Sequence, residues 1–513
     1  MRVAIVGGGV AGLAAAYELE KTGAAAYTLF EASPRLGGVI ASEVVDGTVL
    51  ELGPDSFLTE KPQAADLCRE LGLGAELIPS NDEARKTWIV VRNRLIPLPD
   101  GLMFLIPTKL IPTALTPLFS IWTKIRMGME LLLPPRRTNG ADESVAALVR
   151  RHYGAEAVDR LADPLLSGIY GGDSSQLSAQ TVLPRLVEME SQYGSLTRGM
   201  LAGHRKMRKA MKAAKAAATP EQPSQGGAQT RAATAGAAQT AAPGTRSIFT
   251  SLRGGMQQLV NALVARINPA SICVNAPVSG IERTPDGWLL RIGASSSDVT
   301  GVNQQHFDAV ILATPAWVAG KLLAPVDPEL GADLCGVPYS SSITVNLVYD
   351  ERSLHLPDGF GFLVPSSEGR SMLACTFSHR KFLGRTPPGK ATLRAFLGGM
   401  RNENLLDESD AALVKRVRDE LKEILNLTAQ PEATRVTRWR RAMAQYSVGH
   451  NDRKARIQHR VDALPGLQLV GNAYDGIGIS DCIRLGRSAA TNLSAATNLS
   501  TGANLSAGAN LSA

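Results

Sequence analysis

Short β-branched apolar runs that end in glycines, alternating with stretches of helical period, outline this chain. Residues 3–6 form such a run, residues 13–19 carry a helical pattern, and residues 27–30 form a second run. Period two, then 3.6, then two again reads as the start of a βαβ unit. Strand-like segments follow at 40–45 and 48–50, then an amphipathic helix over 64–73 closed by Gly74. Residues 88–91 and 95–98 read as a hairpin around Arg92-Asn93-Arg94. Helical patterns dominate 101–202, as in 142–152 with apolar positions 145, 148 and 149. Strands recur at 272–278, 288–292 and 308–315, and again at 343–349, 361–364, 372–377 and 392–397. A polar-faced helix over 408–425 precedes a last strand, a glycine turn and a helix over 481–490, for which Ser480 is the expected N-cap.

Two segments break this rhythm. Residues 203–246 open on a basic stretch, 205–215, that suits a helix; the rest, rich in Ala, Thr, Gln and Gly, is expected to be disordered. Residues 491–513 repeat Asn-Leu-Ser every six positions, and one Leu per repeat cannot bury a core, so a disordered tail is expected. Between 101 and 122 the chain is apolar but interrupted by Lys109, Pro107, Pro112 and Pro117. That suits a channel wall or a surface dipping into a membrane interface better than a span.

Composition narrows the class. With 513 residues, 44% hydrophobic and 20% charged, the chain reads as a soluble globular protein of two or three domains. The net charge of +7 comes entirely from 203–246, which holds eight Lys/Arg and one acid. The remainder is neutral, so nucleic acid is not an expected partner. Five scattered cysteines without a CxxC pair suit a reducing cytoplasm and argue against a disulfide framework or a metal site. An apolar strand beginning at Arg2 leaves no room for a signal peptide, so cytoplasmic location is expected.

The chemistry lies in two glycine turns. The first, Gly7-Gly8-Gly9-Val10-Ala11-Gly12, sits between strand and helix, where a pyrophosphate meets the positive helix start. Glu31 ends the next strand, placed to hold a ribose hydroxyl pair. The second, Gly476-Ile477-Gly478, comes some 460 residues later and opens the last helix, whose N–H groups would face an electron-rich ring edge. One half-fold completed so late points to FAD rather than NAD.

With these residues in place the chain resembles the oxygen-dependent porphyrinogen oxidases of haem synthesis, within the FAD amine-oxidase superfamily, over about 1–200 and 247–490. The resemblance rests on Glu31-Ala-Ser-Pro-Arg-Leu-Gly-Gly38, Glu51-Leu-Gly-Pro-Asp-Ser-Phe-Leu58 and Ser167-Gly-Ile-Tyr-Gly-Gly-Asp173. It continues in Ser251-Leu-Arg-Gly-Gly-Met256, Thr376-Phe-Ser-His-Arg-Lys-Phe-Leu-Gly384 and Arg394-Ala-Phe-Leu-Gly-Gly399. Arg438-Trp439, Ala444-Gln-Tyr-Ser-Val-Gly-His450 and Gly476-Ile-Gly-Ile-Ser-Asp-Cys-Ile-Arg484 complete it. The family usually has Pro where this chain has Ser480; either residue can begin a helix.

The resemblance implies an FAD enzyme that removes six electrons from a porphyrinogen, with flavin N5 taking hydride and O2 reoxidising the flavin to give H2O2. It names no catalytic side chain. It implies that Gly7, Gly8, Gly9, Val10, Ala11 and Gly12 hold the pyrophosphate, that Glu31 and Ala32 face the ribose, and that Val278 touches adenine. Gly37, Gly38, Val39, Gly53, Pro54, Asp55, Ser56, Trp439, Gly476, Ile477 and Gly478 are expected around the flavin. For the substrate, Gly168, Tyr170 and Gly171 offer close backbone approach, Phe362 and Leu363 apolar walls, and Lys61, Lys86 and Arg92 propionate partners. His379 is a further proton-shuttle candidate, set against a plain structural histidine.

Coproporphyrinogen III is the expected substrate, because Gly53-Pro-Asp-Ser-Phe, Arg85-Lys-Thr-Trp and residues 98–108 look like the bacterial coproporphyrinogen-using forms. Forms that use protoporphyrinogen IX more often carry Arg near Asp55 or Thr87, and this substrate is the alternative. Another FAD desaturase or amine oxidase, or a flavin-binding scaffold without catalysis, are the remaining competitors; an amine oxidase calls for an aromatic cage, and aromatic content is only 5%.

The expected fold is α/β, a discontinuous Rossmann-like FAD-binding domain with a mixed-sheet substrate domain and an inserted helical domain. The FAD domain is assigned to 1–84, 247–300 and 432–490, the substrate domain to 85–100 and 301–431, and the helical domain to 101–202. Peripheral contact with the inner face of the membrane and a homodimer are carried as further expectations.

Overall fold

The computed structural model describes residues 1–99, 102–103, 106–107, 110–134, 141–217, 247–293 and 303–508. At its centre lies a five-stranded parallel sheet in the order Ile272–Cys273, Ala26–Phe30, Arg2–Val6, Ala309–Leu312, Leu467–Leu469. Parallel strands are covered on both faces, which is why residues 3–6 are unbroken Val, Ala and Ile, all buried. Helices Val10–Thr22, Gln63–Glu70, Gln257–Val264 and Ile479–Gly508 cover one face. The first and last of these touch so closely that a Cβ on Gly486 would lie 2.1 Å from the Ala11 carbonyl oxygen. The antiparallel strands Val278–Thr284, Gly287–Ile292 and Asn303–Phe307, with helices Ala316–Leu323 and Pro328–Cys335, cover the other face.

A seven-stranded sheet forms the second layer, in the order Ala433–Ala444, Tyr339–Asp350, Lys390–Gly398, Met372–Phe377, Gly361–Leu363, Thr87–Val91, Arg94–Pro97. It is antiparallel except where Gly361–Leu363 meets Thr87–Val91. The last hairpin closes through Arg92 and Asn93, both at positive φ (51° and 61°), as a tight two-residue turn requires. Helix Asp410–Leu425 presents Leu413, Val417 and Leu421, one per turn, to one face of this sheet. The opposite face turns toward the parallel sheet.

A mostly helical unit, including Ile121–Met129, Val145–Tyr153, Asp163–Tyr170, Pro184–Tyr193 and Leu196–Ala217, packs around Tyr153, Leu148 and Leu161.

Four expectations are corrected. The segment 272–278 is not one strand: pairing stops at Cys273, Asn275 takes φ 52°, and a new strand in another sheet begins at Val278. Ala309–Leu312, assigned to the substrate domain, pairs directly with Arg2–Val6, whereas Ala433–Ala444, assigned to the FAD domain, is the edge strand of the seven-stranded sheet. Ser480 is not the N-cap. The helix starts at Ile479, the Gly478 carbonyl accepts its first bond from Cys482 N (3.0 Å), and Asp481 reaches back to Gly478 N (3.3 Å). Finally, the last helix passes through 490 to Gly508 instead of ending in a disordered tail. Leu493 still packs in the core, and the Thr491 and Ser494 hydroxyls donate to carbonyls four residues back, so these two polar side chains are satisfied within the helix. The basic stretch after 203 continues helix Leu196–Ala217; residues 218–246 and 509–513 lie outside the described residues.

Candidate active site

The first glycine loop is built by close packing on two sides and left open on the third. A Cβ on Gly7 (φ 108°) would sit 2.6 Å from the Ala313 oxygen, and one on Gly12 would sit 2.0 Å from the Gly7 oxygen. At Gly9, by contrast, nothing lies within 4 Å of the Cβ position. Helix Val10–Thr22 starts there without a side-chain cap, so the N–H groups at Val10, Ala11 and Gly12 have the helix's positive end to themselves. The Glu31 carboxylate is fixed beside the loop by Gly8 N (2.7 Å) and Ser33 N (2.8 Å), next to Ala32. Gly37 N donates to the Gly8 oxygen (2.8 Å), and a Cβ on Gly38 would lie 3.1 Å from Gly9 Cα, which brings Gly37, Gly38 and Val39 across the opening. Ala276 N donates to the Glu31 oxygen (2.9 Å), so the approach to Val278 is stitched to the same acid.

No sequence motif marks Thr314. It follows strand Ala309–Leu312, lies beside Gly7, and its buried Oγ1 has no hydrogen-bond partner. A hydroxyl at a strand end carries no periodic signature.

The residues expected around the flavin converge between the two sheets. A Cβ on Gly53 would be 1.7 Å from the Val39 oxygen. The carbonyls of 51–53 are clamped from the substrate sheet: Asn346 donates to Glu51 O (3.0 Å), Thr344 and Trp439 Nε1 donate to Leu52 O (2.9 and 2.8 Å), and Arg394 donates to Gly53 O. Beyond Pro54, Asp55 accepts from Lys381 Nζ (2.8 Å) and Ser56 Oγ (2.6 Å). Burial alone would raise the Asp55 carboxyl; Lys381 and Arg394 outweigh it and hold it well below the usual carboxylate range. Gly476 (φ 109°) and Ile477 form the second turn, held by Tyr446, whose hydroxyl accepts from Gly476 N and donates to Asn472 O (both 2.9 Å).

The helical unit reaches this point through Gly168–Gly172. The Tyr170 carbonyl accepts from Gln445 Nε2 (2.7 Å) and Ser340 Oγ (3.1 Å), Gly171 takes φ 57°, and Leu363 Cδ2 lies 3.1 Å from the Cβ position of Gly168. Cross-strand register fixes what shares the inner face of the sheet: Ile89, Leu363, Ala374, Phe396 and Thr344 form one row, and Thr376, Arg394 and Asn346 the next.

That register corrects two substrate candidates. Phe362, one position out of phase with Leu363, points into the opposite core, edge-on to Phe377. Lys86 lies over the Trp88 ring, 5.3 Å from its centroid, and Trp88 pairs with Phe362 on that outer side. Arg92 sits exposed at the hairpin tip, its N–H donating to Glu368 (2.9 Å). Lys61 alone among the three cations borders the second glycine turn, ion-paired to Asp481 at 2.6 Å. His379 Nδ1 meets the Thr392 backbone at 3.2 Å, and burial lowers its pKa, a structural arrangement. Among the described residues no cluster suits a metal ion.

An open cradle at Gly9, an uncapped helix start, a carboxylate fixed beside the loop and an orphaned buried hydroxyl at Thr314 fit a dinucleotide, and the second glycine turn fits its flavin. The cofactor is FAD. Comparison with known proteins agrees. The chain is 33% identical to coproporphyrinogen III oxidase of Bacillus subtilis (strain 168), over 96% of this chain and 97% of that one. It is 30% identical to the enzyme of the same name from Staphylococcus aureus, over 95% and 98%. A solved structure from Exiguobacterium sp. 255-15, provisionally named a protoporphyrinogen oxidase, superimposes with TM-score 0.79 at 30% identity, over 96% and 98%. Cyclohexylamine oxidase from Brevibacterium oxydans shares the fold at TM-score 0.65 and 18% identity. With the flavin-containing amine oxidoreductase profile matching residues 10–494, the chain belongs to that family.

Proposed function

We propose that this protein is an FAD-dependent coproporphyrinogen III oxidase of haem biosynthesis, which takes six electrons from its substrate in three rounds, uses O2 as acceptor and releases H2O2. The observation that carries this reading is 33% identity along nearly the whole chain to a coproporphyrinogen III oxidase. The site's broad inner sheet face supports it.

Bound FAD supplies the two-electron acceptor for a hydride from a methylene bridge of the macrocycle. The chain's own residues bind and orient. Gly9 and the start of helix Val10–Thr22 hold the diphosphate, and Glu31 the ribose. The clamp on Leu52 O from Thr344 and Trp439 would hold in place the turn that is to line the flavin. Leu363, Ala374 and Phe396 give an apolar floor, and Gly168 to Gly172 bring backbone close without bulky side chains. Once the macrocycle carries positive charge, a pyrrole N–H loses its proton readily to water, so no strong side-chain base is required. A neutral, structurally committed His379 accords with that. Lys61, at the edge of the second turn, is the proposed propionate partner, exchanging Asp481 for the substrate carboxylate.

Protoporphyrinogen IX is the second reading, favoured by the 28% identical protoporphyrinogen oxidase 2 of Arabidopsis thaliana over 95% of this chain. Purified, flavin-loaded protein in air with each porphyrinogen at equal concentration separates them by porphyrin fluorescence. Faster coproporphyrin formation is the expected result. Faster protoporphyrin formation overturns the substrate, and no rate above the spontaneous background with either overturns the porphyrinogen reading. The enzyme is further proposed to work in the cytoplasm as a homodimer resting on the inner membrane face.

A further inference from the structure

Behind the flavin-side turn lies a layer of buried charge that the reaction as described does not use. Arg394, 3% exposed, donates to Gly53 O and stands 3.9 Å from Asp55. Its Nε is buried and has no partner. Lys381 pairs with Asp55 at 2.8 Å. Arg385, 5% exposed, pairs with Glu51 at 3.0 Å and donates to Ser251 Oγ (2.6 Å) and Leu252 O (3.0 Å). Glu51 also accepts from Ser42 Oγ (2.6 Å) and Met256 N (2.9 Å). Between the two carboxylates is an enclosed cavity of about 10 Å³, lined by Glu51, Asp55, Asn346, Arg385 and Thr392, enough for about one water.

Three cations face two carboxylates here. With Glu51 ionised the layer carries one net positive charge, and with Glu51 protonated it carries two. Such an excess is costly in a buried place unless something negative develops nearby. The turn it supports, 53–56, is the one proposed to line the flavin, and reduction adds negative charge to a flavin.

Resting on that reading, we infer that Arg394, braced by Asp55 and Lys381, is a positioning residue that fixes the Gly53 turn against the cofactor and sets a positive field favouring its reduced form. Two contributions follow, and they separate by substitution. The bond to Gly53 O needs the guanidinium's reach and fork; the field needs only a charge.

The test uses the full chain reconstituted with FAD, measuring FAD dissociation by flavin fluorescence and the flavin midpoint potential by dye-coupled reductive titration. Arg394→Gln is expected to weaken FAD binding about tenfold or more, the scale of a lost charged hydrogen bond, and to lower the potential. Arg394→Lys is expected to recover the potential while leaving binding weakened. Lys381→Met, at a less deeply enclosed position, is expected to lower the potential without breaking the Gly53 contact, and it serves should Arg394→Gln not fold. An unchanged potential and FAD affinity in Arg394→Gln, or an unchanged potential in Lys381→Met, overturns the inference and leaves the layer purely structural. A wild-type chain that binds no FAD instead fails the proposed function itself.

Discussion

Gly9 and Gly12 stand in one loop, yet a methyl group does different things at each. At Gly12 it meets the Gly7 oxygen at 2.0 Å, so Gly12→Ala forces backbone apart and is expected to cost about 1–3 kcal/mol or more of apo-protein stability. At Gly9 the backbone is extended (φ −70°, ψ 176°), which any residue adopts, and the space is empty. Gly9→Ala should therefore keep the apo-protein's unfolding free energy within about 0.5 kcal/mol. FAD affinity should fall by tenfold or more, about 1.4 kcal/mol. Thermal unfolding without FAD, beside flavin titration, checks the pair; equal affinity in Gly9→Ala and wild type removes the diphosphate from this cradle. Gly9→Asp, placing a carboxylate at the diphosphate, should abolish binding. These positions were legible from sequence because spacing encodes backbone geometry. Phe362 and Leu363 were not separable, because in a strand buried on both faces every residue is apolar and the pattern carries no phase. Only the register with Trp88 and Ile89 tells inner face from outer.

Elements hide chemistry of their own. In the helical unit His152 is enclosed between Glu130 (Nδ1, 3.0 Å) and Glu190 (Nε2, 3.3 Å), with Arg151 binding Glu190 and Glu143. Glu130 also accepts from Ser195 Oγ (2.8 Å) and Leu196 N (2.6 Å), so from the short turn Glu130–Leu132, distant in sequence, it caps helix Leu196–Ala217. Burial alone would depress the imidazolium, but both carboxylates outweigh it and raise the His152 pKa. Burial likewise opposes ionisation of Glu190, yet His152 and Arg151 bring it down to about 2. The raised histidine stabilises the fold fully below its unfolded value near 6.5 and loses that contribution as pH rises through the folded value. The depressed glutamate stabilises above about pH 4.3 and loses it as pH falls toward 2. Stability should thus be flat between roughly pH 4.5 and 6.5 for this cluster and decline above. His152→Gln should cost about 3–5 kcal/mol at pH 6 and abolish the alkaline decline, read by urea unfolding across pH. A variant that keeps the same alkaline slope as wild type assigns that slope elsewhere. Sequence periodicity gave the helix but not the triad, whose members lie 22 and 38 residues apart on three elements. The same distance blindness misplaced Ala433–Ala444, whose pairing with Tyr339–Asp350 no local pattern announces.

At the scale of the whole molecule, the order of elements and the two glycine turns were enough to place an α/β cofactor domain, because a parallel sheet demands continuous apolar strands and a dinucleotide demands glycines. What lay outside that logic is the molecule's outer surface. Ile111, Leu115, Ile121, Trp122, Met129 and Leu132 stand 59–80% exposed on neighbouring elements of the helical unit. Thr123 and Met127 are buried on the opposite side of helix Ile121–Met129, so the outward face is apolar by placement and not for want of polar residues. No acid occurs from 101 to 129 or from 191 to 220, while Arg205, Lys206 and Lys209 are exposed on helix Leu196–Ala217, which packs against Glu130–Leu132. Among the described residues no helix is long and apolar enough to cross a membrane. A face of this kind suits a membrane interface, where its aromatic and aliphatic side chains would lie among acyl chains and its cations at anionic headgroups. The protein is therefore expected to co-sediment with vesicles containing phosphatidylglycerol, and less with pure phosphatidylcholine. Trp122→Ser with Leu132→Ser should weaken binding tenfold or more, since each buried side chain of this size contributes about 1.5–3 kcal/mol. Both positions are solvent-exposed, so unfolding and FAD content should not change. Added salt should weaken the wild type by screening the basic residues and spare the apolar part. Equal sedimentation of the double variant and wild type would move the contact off this face and leave its exposed side chains to a second copy of the chain, which the same samples report by their mass in solution.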